Sequence, residues 1–260
     1  MSTFASDFIE GFDARWSEVD TLIDMAQGLD DGDKEYCALC RATIVLIVAN
    51  FEGFIYEAMR CFIKDVNSNN AFLITSEKMK MTYCTQFITP EKGNEKKLRK
   101  LVNVFNELDT KYAIDPFLYE NNKNPKATVI EKYFEEVGGK NFWKYISECE
   151  IDKVFENDSS IGVNLIEKMK DVLRIGTMDF PYQLNCENIG FNMCNDSSNI
   201  ESLWKVFLNQ TLKARHDVAH GISLDNTMPL SEIISTEENF GIIICYINAK
   251  SWNEPTVITP

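Results

Sequence analysis

The apolar residues near the start of the chain recur at spacings of three and four, and this spacing constrains the fold more than any other feature. Such spacing places apolar side chains on one face of an α-helix, because 3.6 residues complete a helical turn. The residues concerned are Phe4, Phe8, Phe12, Trp16, Val19, Ile23 and Ala26. The pattern predicts a long amphipathic helix over residues 2–29 that buries one face against a core.

The remaining chain continues the helical pattern, interrupted by clusters of Gly, Asp, Asn and Pro that stop helices. LDDGDK (29–34) interrupts it first, and a second long helix is predicted from Lys34 to Val66, where NSNN (67–70) ends it. Asn199 or Ser198 is the predicted N-terminal cap of a later helix. Further helices are predicted over residues 73–87, 94–110, 126–138, 163–176 and about 200–221.

FGIIICYI, from Phe240 to Ile247, is a stretch whose composition suits either a strand or a helix. Its β-branched residues favour a strand, whereas Pro229 is typical of a helix start and EIISTEEN follows soon after it. We predict a helix here. The chain has no alternating strand pattern elsewhere and no internal repeat, so we expect an all-α protein that forms one domain over residues 1–260.

Composition indicates a soluble globular protein. Of the 260 residues, 45% are hydrophobic, which is enough to bury a core without disulfides. The most apolar stretch, Ala42 to Phe51, is shorter than the roughly 20 residues that cross a bilayer, which indicates a buried core helix. The eight cysteines could suggest a disulfide framework, but the length of the chain, its apolar content and the lack of a visible signal peptide favour reduced thiols. We therefore expect a cytoplasmic protein that does not bind membranes.

The net charge of −14 argues against general binding to nucleic acid, because that mode needs a basic surface to displace counterions from phosphates. One segment departs from this acidity, EKGNEKKLRK at residues 91–100. Its basic side chains suit either the solvated face of a helix or a patch that contacts phosphates, and both interpretations remain open. The candidate RNA-binding residues are Lys96, Lys97, Arg99 and Lys100 of this segment, together with Lys213.

KARHDVAHG, residues 213–221, contains both histidines of the chain, His216 and His220. It fits three interpretations. A helix end would use Gly221 as its stop, with basic side chains in the last turn to offset the helix dipole. A metal site would use the two histidines four residues apart, and Asp, Glu or Cys would then have to complete the ligand set. The third interpretation is acid–base catalysis, because histidine titrates near neutral pH.

Arg215 and His220 also form an Arg-x-x-x-x-His motif, and here the sequence resembles the HEPN domains. Ribonuclease members of that family carry an arginine, a polar residue, three further residues and a histidine near a helix end. RATIVLIVANFEGFIYEAMRCFIKDV (41–66), with Phe-Glu-Gly-Phe-Ile at 51–55, looks like the first core helix of a HEPN subgroup associated with restriction and toxin–antitoxin loci. GVNLIEKMKDVLRIG (162–176) looks like that subgroup's helix that closes on a glycine.

The resemblance implies an HEPN-like helical bundle, with a core at about 1–68 and 160–250 and a helical insertion at about 70–160. It implies a metal-independent endoribonuclease without a cofactor, acting as a toxin or defence effector that leaves a 2′,3′-cyclic phosphate. An antitoxin or another defence protein would be its partner. The alternative is a non-catalytic HEPN module that binds nucleic acid or a protein, which the negative charge favours. The intact motif favours the enzyme.

On this resemblance Arg215 and His220 are the catalytic pair. Histidine can transfer protons, and the planar charge of arginine suits the negative charge that develops on the phosphate. The supporting residues are His216, Asp217 and Glu52. Glu52 is either an ordinary surface glutamate or, as the resemblance suggests, a buried partner that orients Arg215, since a buried glutamate needs such a partner.

The spacing of the motif limits how one chain can use it. Five residues of a regular helix rotate by about 140°, so Arg215 and His220 cannot both point straight into one cleft. Either the helix loosens at Gly221, or the site is assembled from two chains, as the resemblance implies for HEPN nucleases, and we therefore expect a homodimer. Ile222 stands where some HEPN toxins have a tyrosine that a nucleotidyltransferase modifies, so that form of silencing should not apply.

Overall fold

The computed structural model describes residues 2–88, 93–108, 110–117, 125–147, 150–155, 159–185, 202–222 and 228–253. Within these residues the regular elements are helices and no β-strand is present, which confirms the predicted all-α fold. The α-helices are α1 (Phe4–Glu10), α2 (Phe12–Gln27), α3 (Lys34–Ser68), α4 (Glu77–Cys84), α5 (Glu95–Glu107), α6 (Ala127–Val137), α7 (Phe142–Ser147), α8 (Ser159–Gly176), α9 (Leu203–Ala219) and α10 (Leu230–Asn253). Short 3-10 helices lie at Phe72–Ile74, Asp115–Phe117 and Glu150–Phe155.

The predicted N-terminal helix is divided at Gly11 into α1 and α2. The amide of Gly11 closes α1 by donating to the carbonyl of Asp7 at 3.1 Å. The other end of α1 is held by Asp65 of α3, whose carboxylate accepts the backbone N–H groups of Phe4 and Ala5 at 2.9 Å each. A carboxylate in this position satisfies amides that have no partner inside the helix and offsets the helix dipole. The apolar spacing runs through the break, so spacing alone did not predict it.

The long helix α3 lies at the centre of the fold, with α1, α2, α9 and α10 packed around it. Phe51, Phe54 and Phe62 on α3 are each at most 1% exposed. By length and composition alone α3 is long and apolar enough to cross a membrane, so the predicted apolar stretch belongs to a longer apolar helix. Its side chains nevertheless pack against other helices, as the stacked rings of Phe54 and Trp16 at 5.5 Å illustrate. This packing is typical of a core helix.

The stretch from Phe240 to Ile247 lies within α10, which confirms the predicted helix. Every residue of the stretch is buried, against α8, α3 and α2. A helix that is covered on all sides has no polar face, so its sequence loses the helical period and resembles a core strand. Trp252 near the end of α10 donates to the carbonyl of Ala58 at 3.3 Å and so ties α10 to α3.

The middle segment forms α4 to α7 and is anchored to the C-terminal end of α3. Asn67 of α3 exchanges two hydrogen bonds with the backbone of Tyr112, at 2.8 and 2.9 Å. The ring of Tyr112 lies 4.6 Å from that of Phe72 and 5.0 Å from that of Tyr83. These contacts join the middle segment to the central helix through both polar and aromatic packing.

Several helix boundaries differ from the predicted ones. The helix predicted over 73–87 is limited to α4, because Ser76 caps it by accepting the N–H of Met79 at 3.1 Å. α7 was not predicted. α9 begins at Leu203 after Ser202, later than predicted. The proposed caps at 198 and 199 lie outside the described residues, and so does Lys92 of the basic segment 91–100.

Candidate active site

The KARHDVAHG segment forms the C-terminal end of α9 and the turn that stops it. Gly221 has a φ of +65°, in the left-handed region. The amide of Gly221 donates to the carbonyl of Val218 at 3.1 Å, and the amide of Ile222 donates to that of Asp217 at 2.9 Å. Together these bonds form a Schellman motif, in which glycine adopts the required positive φ without strain. The interpretation of this segment as a helix end is therefore confirmed, and the end is compatible with a catalytic role.

Arg215 lies on the side of α9 that faces α3. The residue is half-buried, and its charge interacts with that of Glu52 on α3. The two helices pack through a buried face of α9 that also holds the backbone of the motif in place. The buried residues of α9 are Trp204, Leu208, Thr211 and Leu212. The fold therefore brings together a cation and a carboxylate that lie far apart in the sequence.

The resemblance led us to expect a buried Glu52, and the structure shows that this residue is half-buried. Burial raises the pKa of the Glu52 carboxyl, and the positive charge of Arg215 opposes that rise. The carboxyl is half-buried because it sits at the edge of the α3–α9 contact and not within the core. Its role in orienting Arg215 stays a prediction, and its position within electrostatic reach of Arg215 is what that role requires.

His216 and His220 are both exposed, and their rings contact each other. The ring centroids lie 4.3 Å apart with an interplanar angle of 52°. Residues four apart on a helix are neighbours on its surface, which accounts for this contact. His220 is the last residue before Gly221, with φ −96° and ψ 5°. A group that exchanges protons with a substrate must be accessible to it, and both rings meet this requirement.

Arg215 and His220 occupy different environments within one chain. α9 keeps its helical geometry through Ala219, and the chain leaves the helix only at His220 and Gly221. The rotation of about 140° expected for a five-residue step therefore applies nearly in full. Arg215 is half-buried and interacts with Glu52 of α3, whereas His220 is exposed at the end of α9. The helix ends at His220 and Gly221, after the motif has completed most of its rotation, and assembly of the site from two chains stays a prediction.

The remaining predicted site residues are spread over two parts of the fold. Asp217 is half-buried, and Lys213 is exposed on α9. The basic residues of α5 are exposed, and α5 packs chiefly against α4, whereas α9 packs chiefly against α3. One chain therefore presents two separate basic regions. The exposed residues of α5 are Lys96, Lys97, Arg99 and Lys100.

Sequence reasoning missed the aromatic contacts that position the motif helix. The ring of Phe207 on α9 lies 5.4 Å from that of Phe240 on α10, and Phe240 lies 4.6 Å from Phe51 on α3. Phe51 directly precedes Glu52, so this chain of rings determines the spacing between Glu52 and the motif helix. The only sequence signal for these residues is apolar spacing, which does not indicate which rings meet.

The metal interpretation lacks further ligands in the part of the chain that the structure describes. No group of three or more His, Cys, Asp or Glu side chains there could hold a metal ion. Zinc bound by His216 and His220 would need at least one more protein ligand.

Comparison with known proteins gives one positive result. The chain matches the family model described as RiboL-PSP-HEPN over residues 11–250. This match includes residues 70–160, which the resemblance seen in the sequence leaves unmatched. Neither the curated proteins nor the solved structures contain a match to the chain. With a match over most of its length and an all-helical fold, the chain belongs to the RiboL-PSP-HEPN family of HEPN domains.

Proposed function

We propose that this protein is a metal-independent endoribonuclease. Membership of its family supports a function related to nucleic acid, because HEPN domains are often ribonucleases. One observation carries the proposal: the charge of Arg215 on α9 interacts with that of Glu52 on α3, while His220 is exposed at the end of α9. A fixed cation next to an accessible proton-transfer group suits the cleavage of RNA by its own 2′-hydroxyl.

In the proposed reaction, one histidine removes the proton of the RNA 2′-hydroxyl, and the 2′-oxygen forms a bond to the adjacent phosphorus. The bond between phosphorus and the 5′-oxygen breaks, and a second histidine donates a proton to that oxygen. The products are a 2′,3′-cyclic phosphate and a 5′-hydroxyl. Proton transfer of this kind contributes about 10²–10⁴-fold in rate. This route uses no metal and no cofactor.

Arg215 would stabilise the negative charge that accumulates on the phosphate oxygens. Its guanidinium is planar and permanently charged, and Glu52 would limit its rotation. His216 would support His220 through the contact between their rings, and Asp217 would support the helix end. These roles follow from where the four side chains lie on α9 and α3.

Two chains would complete the proposed site. Because α9 stays helical through Ala219, the side chains of Arg215 and His220 in one chain point in different directions and do not line a single cleft. A two-fold axis through the ends of two copies of α9 would bring two His220 side chains together, one for each proton transfer. The proposed enzyme is therefore a homodimer.

Local basic residues would guide RNA to an otherwise acidic protein. With a net charge of −14, the chain repels phosphates over most of its surface. Lys213 lies two residues before Arg215, and the exposed basic residues of α5 form a second region. We propose that both regions contact the RNA backbone.

A toxin or defence effector is the biological role that we propose for this activity. A ribonuclease that cuts cellular RNA must be restrained until it is needed, so an antitoxin or another defence protein would bind it in the cytoplasm. Ile222 is 69% exposed beside the motif and offers no hydroxyl for a nucleotidyltransferase to modify. Restraint would therefore come from binding and not from modification at that position.

RNA cleavage in the presence of excess EDTA tests the proposal. We expect the purified protein to cut single-stranded RNA and to leave a 2′,3′-cyclic phosphate on the upstream product. His220→Ala should abolish cleavage, Arg215→Ala should reduce it nearly as much, and His216→Ala should reduce it less. All three variants should stay folded, since the motif lies outside the core. Cleavage that is lost in EDTA and restored by zinc or manganese would contradict the proposal.

A non-catalytic binding module is the alternative, and the net charge of −14 favours it because RNA is a poor general ligand for an acidic surface. Absence of cleavage over a broad panel of RNAs, with any bound inhibitor removed, would support this alternative. The intact motif with an accessible His220 imidazole favours the enzyme, since a module that only binds has no use for a proton-transfer group.

A further inference from the structure

A cavity of about 350 Å³ opens between α2, α8 and α10, and it contains neither Arg215 nor His220. Its walls are mainly apolar and aromatic, and they include Phe12 and Trp16 of α2, which are 2% and 6% exposed. Ligand sites in proteins are typically cavities of roughly 300–1,000 Å³ with apolar walls and a few polar groups. This cavity is at the small end of that range. Its other apolar residues are Ile23, Ile166 and Ile234.

The basic side chain in the cavity wall is already paired. Lys170 of α8 is 7% exposed, and its ammonium group donates hydrogen bonds to Asp13 and to Glu167. The same ammonium group lies 5.2 Å from the centroid of the Phe12 ring. Lys170 therefore neutralises the carboxylates next to it, and it demonstrates that this aromatic wall accommodates a cation.

Four further carboxyl groups line the cavity without such a partner. Asp20 and Asp24 project from α2, and Glu237 and Glu238 project from α10. Among the residues that the structure describes, no Lys, Arg or His forms an ion pair with any of the four. The cavity thus combines apolar walls with an excess of negative charge, which makes it complementary to a positively charged ligand that also has an apolar part.

Two of these carboxyl groups influence each other's charge. Asp20 and Glu237 line the same cavity, and the negative charge of Asp20 favours the protonated form of Glu237. Burial, together with the charges of Asp20 and Glu238, raises the pKa of Glu237 to about 8. Asp24 of α2 adds negative charge, and Lys170 of α8 is the cation in the same cavity wall. A bound cation would replace the proton that Glu237 carries at pH 7.

We propose that this cavity binds a small organic cation, an alkylammonium or alkylguanidinium compound, between α2 and α10. Its charged end would lie between Asp20 and Glu237, and its alkyl stem would contact Trp16 and the neighbouring isoleucines. The volume of the cavity suits a small molecule. The proposal is independent of the ribonuclease activity, because none of the residues involved belongs to the motif.

A metal ion is a poorer fit than an organic cation. No group of three or more carboxylate, imidazole or thiolate side chains among the described residues could hold a metal. An elongated amine or guanidine can contact separated carboxylates while its stem covers the aromatic wall, whereas a compact ion cannot.

Isothermal titration calorimetry of the full-length protein with spermidine and with agmatine tests the proposal. At pH 7 and 150 mM NaCl we expect saturable binding of one ligand per chain, with competition between the two compounds. Most of one proton should be released per ligand bound, measured from the dependence of the heat on the ionisation enthalpy of the buffer. Asp20→Asn and Glu237→Gln should each weaken binding at least tenfold, and Glu237→Gln should also remove the proton release.

Glu18→Gln is the matched control, because Glu18 is exposed on α2 and lies outside the cavity. This substitution changes the net charge by the same amount as Asp20→Asn or Glu237→Gln. We expect this variant to bind both compounds as the parent protein does. Equal weakening by Glu18→Gln, displacement of the compounds by equimolar magnesium, or absence of saturable binding would each overturn the proposal. Circular dichroism of the variants identifies any that fail to fold. Trp16→Phe provides a second test, because it keeps an aromatic wall and should therefore retain binding.

Discussion

The half-buried carboxyl group of Glu52 on α3 lies within electrostatic reach of Arg215 on α9, which joins the central helix of the bundle to the motif helix. Burial raises the pKa of Glu52, and Arg215 opposes that rise, so the fold maintains the carboxyl group there at some cost. A purely structural position of this kind would be filled equally well by a neutral side chain. The pair therefore connects the stability of the fold with the proposed chemistry.

We expect Glu52→Gln to reduce RNA cleavage more than tenfold while changing the free energy of unfolding by no more than about 1 kcal/mol. The amide keeps the shape of the side chain but removes the charge that would orient Arg215. Cleavage assays and urea denaturation on the same preparation measure both effects. Glu57→Gln is the control, since Glu57 is on the same helix and pairs with Arg60 at 3.7 Å. Unchanged cleavage by Glu52→Gln would remove Glu52 from the proposed site.

The separation of Arg215 from His220 predicts a homodimer. Light scattering at micromolar concentration should give twice the chain mass of 29.8 kDa. Adding an excess of inactive His220→Ala chains to the parent protein should lower the activity per parent chain, because each mixed dimer then contains only one His220 for the two proton transfers. A monomer that is fully active would contradict a site shared between chains.

Charge reversal on α5 tests the second basic region. Replacing Lys96, Lys97, Arg99 and Lys100 by Glu should weaken RNA binding and flatten its dependence on salt, because fewer counterions are then released from the RNA. The dimer should remain intact, since these side chains are exposed. Fluorescence anisotropy with an inactive His220→Ala background measures binding alone. Identical affinity at every salt concentration would make this segment an ordinary solvated helix face.

Alanine substitution at Gly221, with Gly53 as the control position, tests the role of Gly221 in ending α9. Gly221 has a φ of +65°, where an alanine is strained, so we expect Gly221→Ala to lower the free energy of unfolding by about 1 kcal/mol. Gly53 lies inside α3, and a Cβ there would meet no atom within 4 Å, so Gly53→Ala should be neutral or stabilising by up to about 1 kcal/mol. Thermal or urea denaturation compares them. Equal effects at the two positions would count against the Schellman stop.

The raised pKa of Glu237 predicts that the free energy of unfolding falls as the pH rises. Burial, Asp20 and Glu238 raise its pKa from 4.5 to about 8, so between these values the folded chain binds more protons than the unfolded chain. The contribution of this group to the free energy of unfolding is therefore complete below about pH 4.5 and is lost as the pH rises through 8. We expect Glu237→Gln to be more stable than the parent protein at pH 8.5 by at least about 1 kcal/mol, and similar to it at pH 5.

Urea denaturation at a series of pH values measures this difference, with Glu18→Gln as the exposed control. Parallel pH profiles for the parent protein and Glu237→Gln would show that Glu237 titrates in the same range in both the folded and the unfolded states. That result would also mean that Glu237 carries no proton at pH 7 for a bound cation to displace.

Features that depend on neighbouring residues were predictable from the sequence. The spacing of three and four predicted helices, and Gly221 predicted the end of α9, because helical periodicity and helix stops involve only residues within about one turn of each other. The position of both histidines on one helix end followed for the same reason. The resemblance to HEPN domains could be recognised because its motifs are contiguous stretches of sequence.

Features that depend on packing were decided only by the tertiary structure. Asp65 holds the start of α1, and no local pattern links Asp65 to Phe4 or to the break at Gly11. Likewise, Arg215 lies within electrostatic reach of Glu52, and Asp20 within that of Glu237, across helices that are distant in the chain. Apolar spacing determines which face of a helix is buried, but not which helix covers it. Pairs between helices therefore follow from the complementary packing of side chains, which the sequence does not display as a repeating pattern.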